Sequence, residues 1–257
     1  MLAMTLHAAA TSSNDVMSTR KSTSPSDETA PSKRAARNDT DVEPDQQPER
    51  LDDCRRCALW SKATQAVGGM GPKRAPIMLV GEQPGDIEDQ QGKPFVGPAG
   101  QLLDDALEEA GVARHDVYVT NAVKHFKWEP RGKRRMHKTP AQREIDACHY
   151  WLERELNSVG PRVIVALGAT ALKAILDDRD ARLQAVVGKV IEHGGRHVVP
   201  TYHPSFALRA PDEATRHRAY AAIVAALCEA GTVAHREAAR ESGNDEEHNG
   251  KTPDRKG

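Results

Sequence analysis

The chain has 257 residues, of which 38% are hydrophobic and only 4% aromatic. These fractions are too low for a chain that is folded over its whole length. They indicate unstructured segments beside one folded domain. The formal net charge of −1 neither requires nor excludes a nucleic-acid partner. The opening residues have no basic stretch followed by an apolar run, so we predict a cytoplasmic protein with no signal peptide and no contact with a membrane.

Both ends of the chain are polar. The first fifty residues contain no aromatic side chain and are rich in Ser, Thr, Asp, Ala and Pro, a composition that buries too little apolar surface to fold. Residues 236–257 are similarly polar. We therefore predict a disordered leader over residues 1–49, one domain over residues 50–235 that acts as a monomer, and a disordered tail over residues 236–257.

A C-x-x-C pair, Cys54 and Cys57, precedes the first apolar run. In a reducing compartment such a pair favours a metal or cluster site, because no thioredoxin-like strand precedes it. Cys148 is the candidate for a third ligand. The fourth is either Cys228 or a histidine, although Cys228 lies in the apolar run "IVAALCEA" and is interpreted as a small core residue. Zinc would accept three cysteines and a histidine as readily as an iron–sulfur cluster would.

Four apolar runs rich in β-branched residues predict buried strands, at residues 76–85, 116–124, 162–171 and 196–205. Amphipathic helical patterns lie between them. Strands that alternate with helices predict an α/β fold, here a parallel four-stranded sheet flanked by helices on both faces in a single domain. Ligands bind at the carboxyl ends of strands in such sheets, so the segments "GEQPGD", "TNAVKH" and "HPS" are expected along one edge.

The segment "GEQPGDIEDQQGKPFVGPAG" follows the first predicted strand and matches neither the dinucleotide-binding nor the P-loop pattern. It could be an ordinary glycine-rich turn. Its four carboxylates and its aromatic side chain instead favour acid–base chemistry or water positioning beside a planar ligand. These side chains are Glu82, Asp86, Glu88, Asp89 and Phe95.

A basic segment over residues 126–139 contains one histidine, His137. From charge alone it could be a solvated loop with His137 as a bystander. Cations on a flexible loop above the ligand edge are also well placed to neutralise phosphates. The basic residues are Lys127, Arg131, Lys133, Arg134, Arg135 and Lys138, with Lys124 at the end of the preceding strand.

Together, "GEQPGDIEDQQGKPFVGPAG", "TNAVKHFK", "KRRMHKTP" and "HPSFALR" resemble the bacterial uracil-DNA glycosylase superfamily. More narrowly, they resemble its X-type branch (UdgX), which is related to the iron–sulfur family 4 enzymes. The resemblance spans residues 51–230. The glutamine in "GEQPGD" and the basic loop with its histidine are the features that resemble the X-type branch rather than family 4.

The resemblance implies that uracil is flipped out of DNA into a pocket. Base excision needs an aromatic surface for stacking and hydrogen bonds along the base edge. Phe95 is expected to stack on uracil, Asn121 to bond its O4/N3 edge, and His203 to donate to O2 as charge develops on the leaving base. Gln83 and Asp86 are expected to position uracil and a neighbouring water. Taken singly, Asn121 and His203 could equally be turn and capping residues.

In the X-type branch, the histidine of the basic loop is a nucleophile. The resemblance therefore implies that His137 captures the C1′ atom after uracil departs, which leaves the protein cross-linked to DNA, and that Glu82 orients its imidazole. The expected partner is uracil-containing DNA, either single- or double-stranded. Six residues are expected to contact it: Lys124, Arg134, Arg135, Lys138, Ser205 and Arg209.

The resemblance also favours iron over zinc. It implies a [4Fe–4S] cluster with a structural role, held by Cys54, Cys57, His125 and Cys148, where His125 occupies the position of a cysteine in family 4. Two alternatives stay open at this point. One is an ordinary hydrolytic uracil-DNA glycosylase with multiple turnovers, and the other is a non-catalytic iron–sulfur protein that binds DNA.

Overall fold

A computed structural model describes residues 47–249, with side chains described as far as residue 240. The predicted leader lies almost wholly outside the described residues, and so do the last eight residues of the predicted tail. Within the described residues, no helix is both long and apolar enough to cross a membrane.

Seven strands are present in the described part of the chain. They are β1 (Ile77–Gly81), β2 (Val117–Asn121), β3 (Trp128–Arg131), β4 (Arg134–His137), β5 (Val163–Leu167), β6 (Ile191–His193) and β7 (Arg196–Thr201). Five of them form the central sheet in the order β2, β1, β5, β7, β6, and the first four in that order run parallel. The predicted parallel α/β sheet is therefore confirmed.

The sheet has five strands rather than the predicted four. The additional strand, β6, pairs antiparallel with β7 at one edge. Gly194 and Gly195 connect them with φ angles of 56° and 73°, and two consecutive glycines with positive φ angles are typical of a tight hairpin turn. The glycine pair in "EHGGRH" was therefore a sequence signal for this strand.

Seven helices cover the sheet in the described residues. They are α1 (Asp86–Gln91), α2 (Pro98–Glu109), α3 (Gln142–Val159), α4 (Ala169–Leu176), α5 (Leu183–Val186), α6 (Pro204–Leu208) and α7 (Glu213–Asn249). Alternate strand residues face opposite layers. One face packs with α3 and α4, together with the segment that contains Cys54, and the other packs with α2 and α7. Each large aliphatic side chain buried in this way contributes about 1.5–3 kcal/mol.

Helix α7 extends past residue 235, the predicted end of the domain, to Asn249. The boundaries of the domain and of the disordered tail stay predictions. Two causes of the longer helix are visible. The segment is rich in Ala, Glu and Arg, which favour helix, and Glu237 lies 3.5 Å from the His197 imidazole of β7 and 2.9 Å from Arg240.

The basic segment is also more ordered than predicted. Strands β3 and β4 form an antiparallel ribbon in which Trp128 faces His137 and Arg131 faces Arg134. Gly132, with a φ angle of 60°, lies in the turn between them. His137 is therefore carried by a ribbon rather than by an irregular loop.

Candidate active site

Three segments meet at the carboxyl edge of the sheet, as the sequence predicts for a parallel α/β fold. Glu82 and Gln83 follow β1, Asn121 ends β2 in register with Gly81, and His203 follows β7. The two-stranded ribbon enters the same region, because His137 lies against Glu82.

Phe95, Asn121 and His203 lie close together at this edge, and we call this group of three side chains the candidate base pocket. A side chain at Gly81 would overlap both the Asn121 Oδ1 atom and the Phe95 ring, so these two groups lie side by side over the end of β1. The Phe95 and His203 rings are 5.9 Å apart between centroids. Asn121 is only 2% exposed. The structure thus brings together an aromatic face, an amide and an imidazole, the three groups predicted to hold a flipped base.

The Phe95 backbone is strained. Its φ angle is 55°, in the left-handed region that few residues other than glycine adopt. Two contacts hold this conformation. Gly100 approaches the Phe95 carbonyl so closely that any side chain there would overlap it, and the Gly97 N–H donates to the Glu88 carboxylate at 2.9 Å. The aromatic ring is therefore held in place before any ligand arrives.

His203 is fixed as one neutral tautomer. The Ser205 N–H donates to His203 Nδ1 at 3.2 Å, so Nδ1 is an acceptor and the ring proton resides on Nε2. Burial lowers the pKa of His203 to about 4, against a smaller opposing effect of the Glu82 carboxylate. At neutral pH the imidazole therefore offers an uncharged N–H donor from Nε2.

Glu82 and His137 form the pair that the family resemblance implies. His137 Nε2 lies 3.1 Å from Glu82 Oε1, and the Thr170 hydroxyl donates to Glu82 Oε2 at 2.6 Å. Burial would raise the pKa of Glu82, but the hydrogen bonds from His137 and Thr170 outweigh this and lower it. Thr170 was missed, although it follows the glycine turn at the end of the third predicted strand.

Gln83 holds the ribbon instead of facing the pocket. Its amide nitrogen donates to the carbonyls of Lys127 and Lys138 at 3.2 and 3.1 Å, and its amide oxygen accepts from the Lys127 N–H at 3.0 Å. These bonds occupy both the nitrogen and the oxygen of the Gln83 side-chain amide. The structure therefore does not support the expected contact between Gln83 and uracil. Gln83 instead closes the base of the ribbon that carries His137.

Lys124 was predicted to contact DNA phosphates, and its position contradicts that prediction. Its side chain is completely buried. Its ammonium group donates to the Thr120 hydroxyl, the Asn121 carbonyl and the Glu155 carboxylate, each at 2.7 Å. Burial of a lysine requires such partners, since an unpaired ammonium in the core is very costly. Lys124 therefore stabilises the turn that presents Asn121.

Arg135, also predicted to contact phosphate, has carboxylate partners within the protein. Its guanidinium pairs with Asp86, and its Nη1 atom lies 2.6 Å from Asp89. Burial would lower the pKa of Arg135, but these carboxylates raise it. Asp86, expected to position uracil and water, is thus engaged with Arg135 in this structure.

Other cations predicted to contact DNA remain at the surface. Arg134, Lys138 and Arg209 are exposed, and Lys138 lies 3.1 Å from Glu129 in a surface ion pair. Ser205 lies within α6 and donates its N–H to His203, the N-cap residue of that helix. The next residue, Phe206, is 44% exposed and stacks on Tyr202. An exposed aromatic side chain, which the sequence analysis did not single out, therefore lies three residues before Arg209.

Three of the four cysteines approach one another. Cys54 and Cys148 are buried in the same layer, and Cys57 packs against that layer. Nitrogen donors reach the sulfurs, from Trp151 Nε1 to Cys54 at 3.1 Å and from the Lys124 N–H to Cys148 at 3.2 Å. Hydrogen bonds of this kind accompany thiolate ligands of iron–sulfur clusters.

The two candidates for the fourth ligand lie in different places. His125 is buried beside Lys124, whose backbone contacts Cys148, and burial lowers the pKa of His125 to about 4. Cys228 lies on α7, on the opposite face of the sheet, and is exposed rather than part of the core as predicted. This location separates Cys228 from the other three cysteines.

The donor set is compatible with a cluster. Among the described residues, no group of three or more His, Cys, Asp or Glu side chains is arranged to hold one metal ion. In a [4Fe–4S] cluster the ligands bind different irons and need not converge on one point. Three neighbouring cysteines and the buried His125 are compatible with that arrangement.

Comparison with known proteins places the chain among uracil-DNA glycosylases. A family model described as the uracil DNA glycosylase superfamily matches residues 69–228. A type-4 uracil-DNA glycosylase of Thermotoga maritima is 43% identical over 162 residues, which cover 63% of this chain and 81% of the relative. A type-4 enzyme of Archaeoglobus fulgidus is 38% identical over 63% of this chain and 85% of its own length. A type-5 uracil-DNA glycosylase of Pyrobaculum aerophilum is 35% identical over 59% of this chain and 70% of its own length.

Proposed function

This chain belongs to the uracil DNA glycosylase superfamily, and we propose that it removes uracil from DNA and becomes joined to the resulting sugar through His137. The observation that carries the finer part of the proposal is the contact between His137 Nε2 and Glu82 Oε1 at 3.1 Å, at the edge of the base pocket. Uracil-DNA glycosylase activity itself follows from the family and from its type-4 relatives.

Base recognition rests on the pocket. Uracil stacks on Phe95, and the Asn121 amide supplies both a donor and an acceptor to the edge that distinguishes uracil from cytosine. Because Asn121 is 2% exposed, little water competes for these bonds. A wrong base leaves buried polar groups unpaired, which costs about 1–3 kcal/mol for each group.

Departure of uracil depends on His203. The bond between C1′ and uracil N1 breaks, and its electron pair leaves with the base. The Nε2–H of His203 donates to uracil O2, where negative charge develops. The neutral state of the imidazole suits this role, because a neutral Nε2–H donates a hydrogen bond to uracil O2 without transferring its proton to the base.

Capture of the sugar completes the proposed reaction. C1′ acquires oxocarbenium character, and a His137 imidazole nitrogen donates its lone pair to it. Glu82 accepts the proton from Nε2, so charge balances as the new C1′–N bond forms. Thr170, bonded to the other Glu82 oxygen at 2.6 Å, holds the carboxylate toward His137.

Hydrolysis with multiple turnovers is the second candidate. His137 is 44% exposed, so water has access to the space in front of Glu82, and the carboxylate could accept a proton from water as well. The type-4 names of the relatives agree with this alternative. The two candidates share the pocket and differ only in the nucleophile.

The proposed cofactor is a [4Fe–4S] cluster held by Cys54, Cys57, Cys148 and His125. Its contribution would be structural, since the two N-terminal cysteines would then be tied to α3 and to the segment after β2. No step of the reaction passes through it. Three neighbouring cysteines with nitrogen donors on two of the sulfurs support this assignment.

One experiment separates the two candidates. A uracil-containing oligonucleotide is incubated with the wild type, with His137→Ala, and with His217→Ala, a control histidine that is 74% exposed on α7. The products are run on a denaturing gel. We expect wild type and control to give a band of protein plus DNA, and His137→Ala to release uracil without that band. A wild type that turns over freely without the band would establish the hydrolytic function instead.

A further inference from the structure

The ribbon of β3 and β4 has two faces with different surroundings. Residues two apart on a strand point to the same side, so Arg135 and His137 share one face, and Arg134 and Met136 share the other. Arg134 is exposed, whereas the Arg135 side chain is only 22% exposed. Arg134 and Arg135, which are adjacent in "KRRMHK", therefore have different environments. The sequence alone gives no reason to distinguish them.

Arg135 joins the ribbon to helix α1. Its Nη1 atom lies 2.6 Å from the Oδ2 atom of Asp89, a fully buried carboxylate, and its Nε atom pairs with Asp86 one helical turn earlier. Asp89 also accepts from the Thr64 N–H at 2.9 Å. A guanidinium that bridges two carboxylates is held in both position and orientation, because its donors have fixed directions.

Arg135 and His137 pack near the same buried ring. The guanidinium lies 5.4 Å from the centroid of Phe126, and the His137 ring lies 6.3 Å from the same centroid. Phe126 is 1% exposed and has little room to move. Phe126 thus connects Arg135 to His137, which in turn contacts Glu82.

We propose that Arg135 is a positioning residue that holds His137 against Glu82 through its ion pairs with Asp86 and Asp89, and that it does not bind DNA phosphate. This inference rests on the proposed function of His137. It assigns the two neighbouring arginines different tasks: Arg135 orients the nucleophile, and Arg134 remains available to the DNA backbone.

The test compares Arg135→Gln with Arg134→Gln. Both are incubated with uracil-containing oligonucleotide, and the released uracil and the cross-linked product are quantified together. We expect Arg135→Gln to lower the cross-linked fraction about tenfold or more while uracil release changes less, because misplacement by about 1 Å can slow a bond-forming step about 100-fold. Arg134→Gln should weaken DNA binding, so that uracil release and cross-linking fall together and the amount of cross-link per uracil released is unchanged. It should also lower the slope of the salt dependence of DNA binding by the share of about one phosphate contact.

Two further variants distinguish a loss of positioning of His137 from misfolding of the protein. Asp89→Asn combined with Arg135→Gln removes both charges together, so that no buried carboxylate is left unpaired. Arg135→Lys retains the charge without the bridging geometry and should restore only part of the cross-linked fraction. Thermal unfolding verifies that each variant is folded.

Nitrogen NMR of labelled histidine gives a readout that needs no adduct. Loss of Arg135 should shift and broaden the His137 imidazole signals, and loss of Arg134 should not. Unchanged His137 signals in Arg135→Gln, an unchanged cross-linked fraction, or a reduced salt dependence like that of Arg134→Gln would each overturn the inference. A wild type that forms no adduct would instead refute the nucleophilic role of His137, and the NMR comparison would then decide the positioning role by itself.

Discussion

Replacement of His203 by alanine removes one preorganised donor from the leaving base. We expect the rate of uracil release to fall about 10²–10³-fold, which is about 2.7–4 kcal/mol of transition-state stabilisation for one such preorganised donor. The structure supports this expectation, because the tautomer of His203 is set by the Ser205 N–H at 3.2 Å. The fold should tolerate the change, since the lost cap on the five-residue helix α6 costs only about 0.5–2 kcal/mol.

The assay is single-turnover release of uracil, measured at several pH values for wild type, His203→Ala and His203→Asn. Asparagine can accept from Ser205 and donate to uracil, so it should restore part of the rate. Because burial lowers the pKa of His203 to about 4, the neutral donor is present throughout pH 6–8 and should cause no change in rate there. A wild-type rate that falls about tenfold for each pH unit in this range would show that the rare imidazolium is the active form, and would refute the reasoning.

Two further predictions concern the base pocket and the cysteine site. Asn121→Ala should slow uracil release roughly 30- to 10⁴-fold, because two hydrogen-bonding groups of the bound base lose their partners at about 1–3 kcal/mol each; an unchanged rate would mean that uracil is recognised elsewhere. Purified protein should show the broad visible absorption of an iron–sulfur cluster, His125→Ala should lose it, and Cys228→Ala should retain it, since Cys228 is exposed on the opposite face of the sheet. Colourless wild-type protein containing zinc would contradict the cluster assignment.

Stability should also depend on pH through His203. Burial lowers the pKa of His203 to about 4 in the folded protein, against an ordinary value of 6.5. Between these values the unfolded chain binds more protons, so the free energy of unfolding decreases as the pH falls from 6.5 toward 4. The contribution of His203 is fully present above pH 6.5.

The positions of Asn121 and His203 were predictable because each lies at or just after the end of a strand that the sequence marks clearly. The strand that ends at Asn121 and the strand that precedes His203 are continuous apolar runs, and parallel strands place their carboxyl ends at one edge. The Glu82–His137 contact was expected only from the family resemblance. The sequence pattern also missed β6, which has three residues.

The sequence by itself determined the parallel sheet and the groups at its edge, because apolar periodicity and strand-end turns are local properties of the chain. Only the tertiary structure decided which partners the long polar side chains take. Glu155 is 31 residues from Lys124 and Asp89 is 46 residues from Arg135, and no local pattern relates either pair. A basic residue has low energy both in water and beside a buried carboxylate, so its role depends on where the fold brings that carboxylate. For this reason two cations predicted to contact DNA, Lys124 and Arg135, are instead bound within the protein.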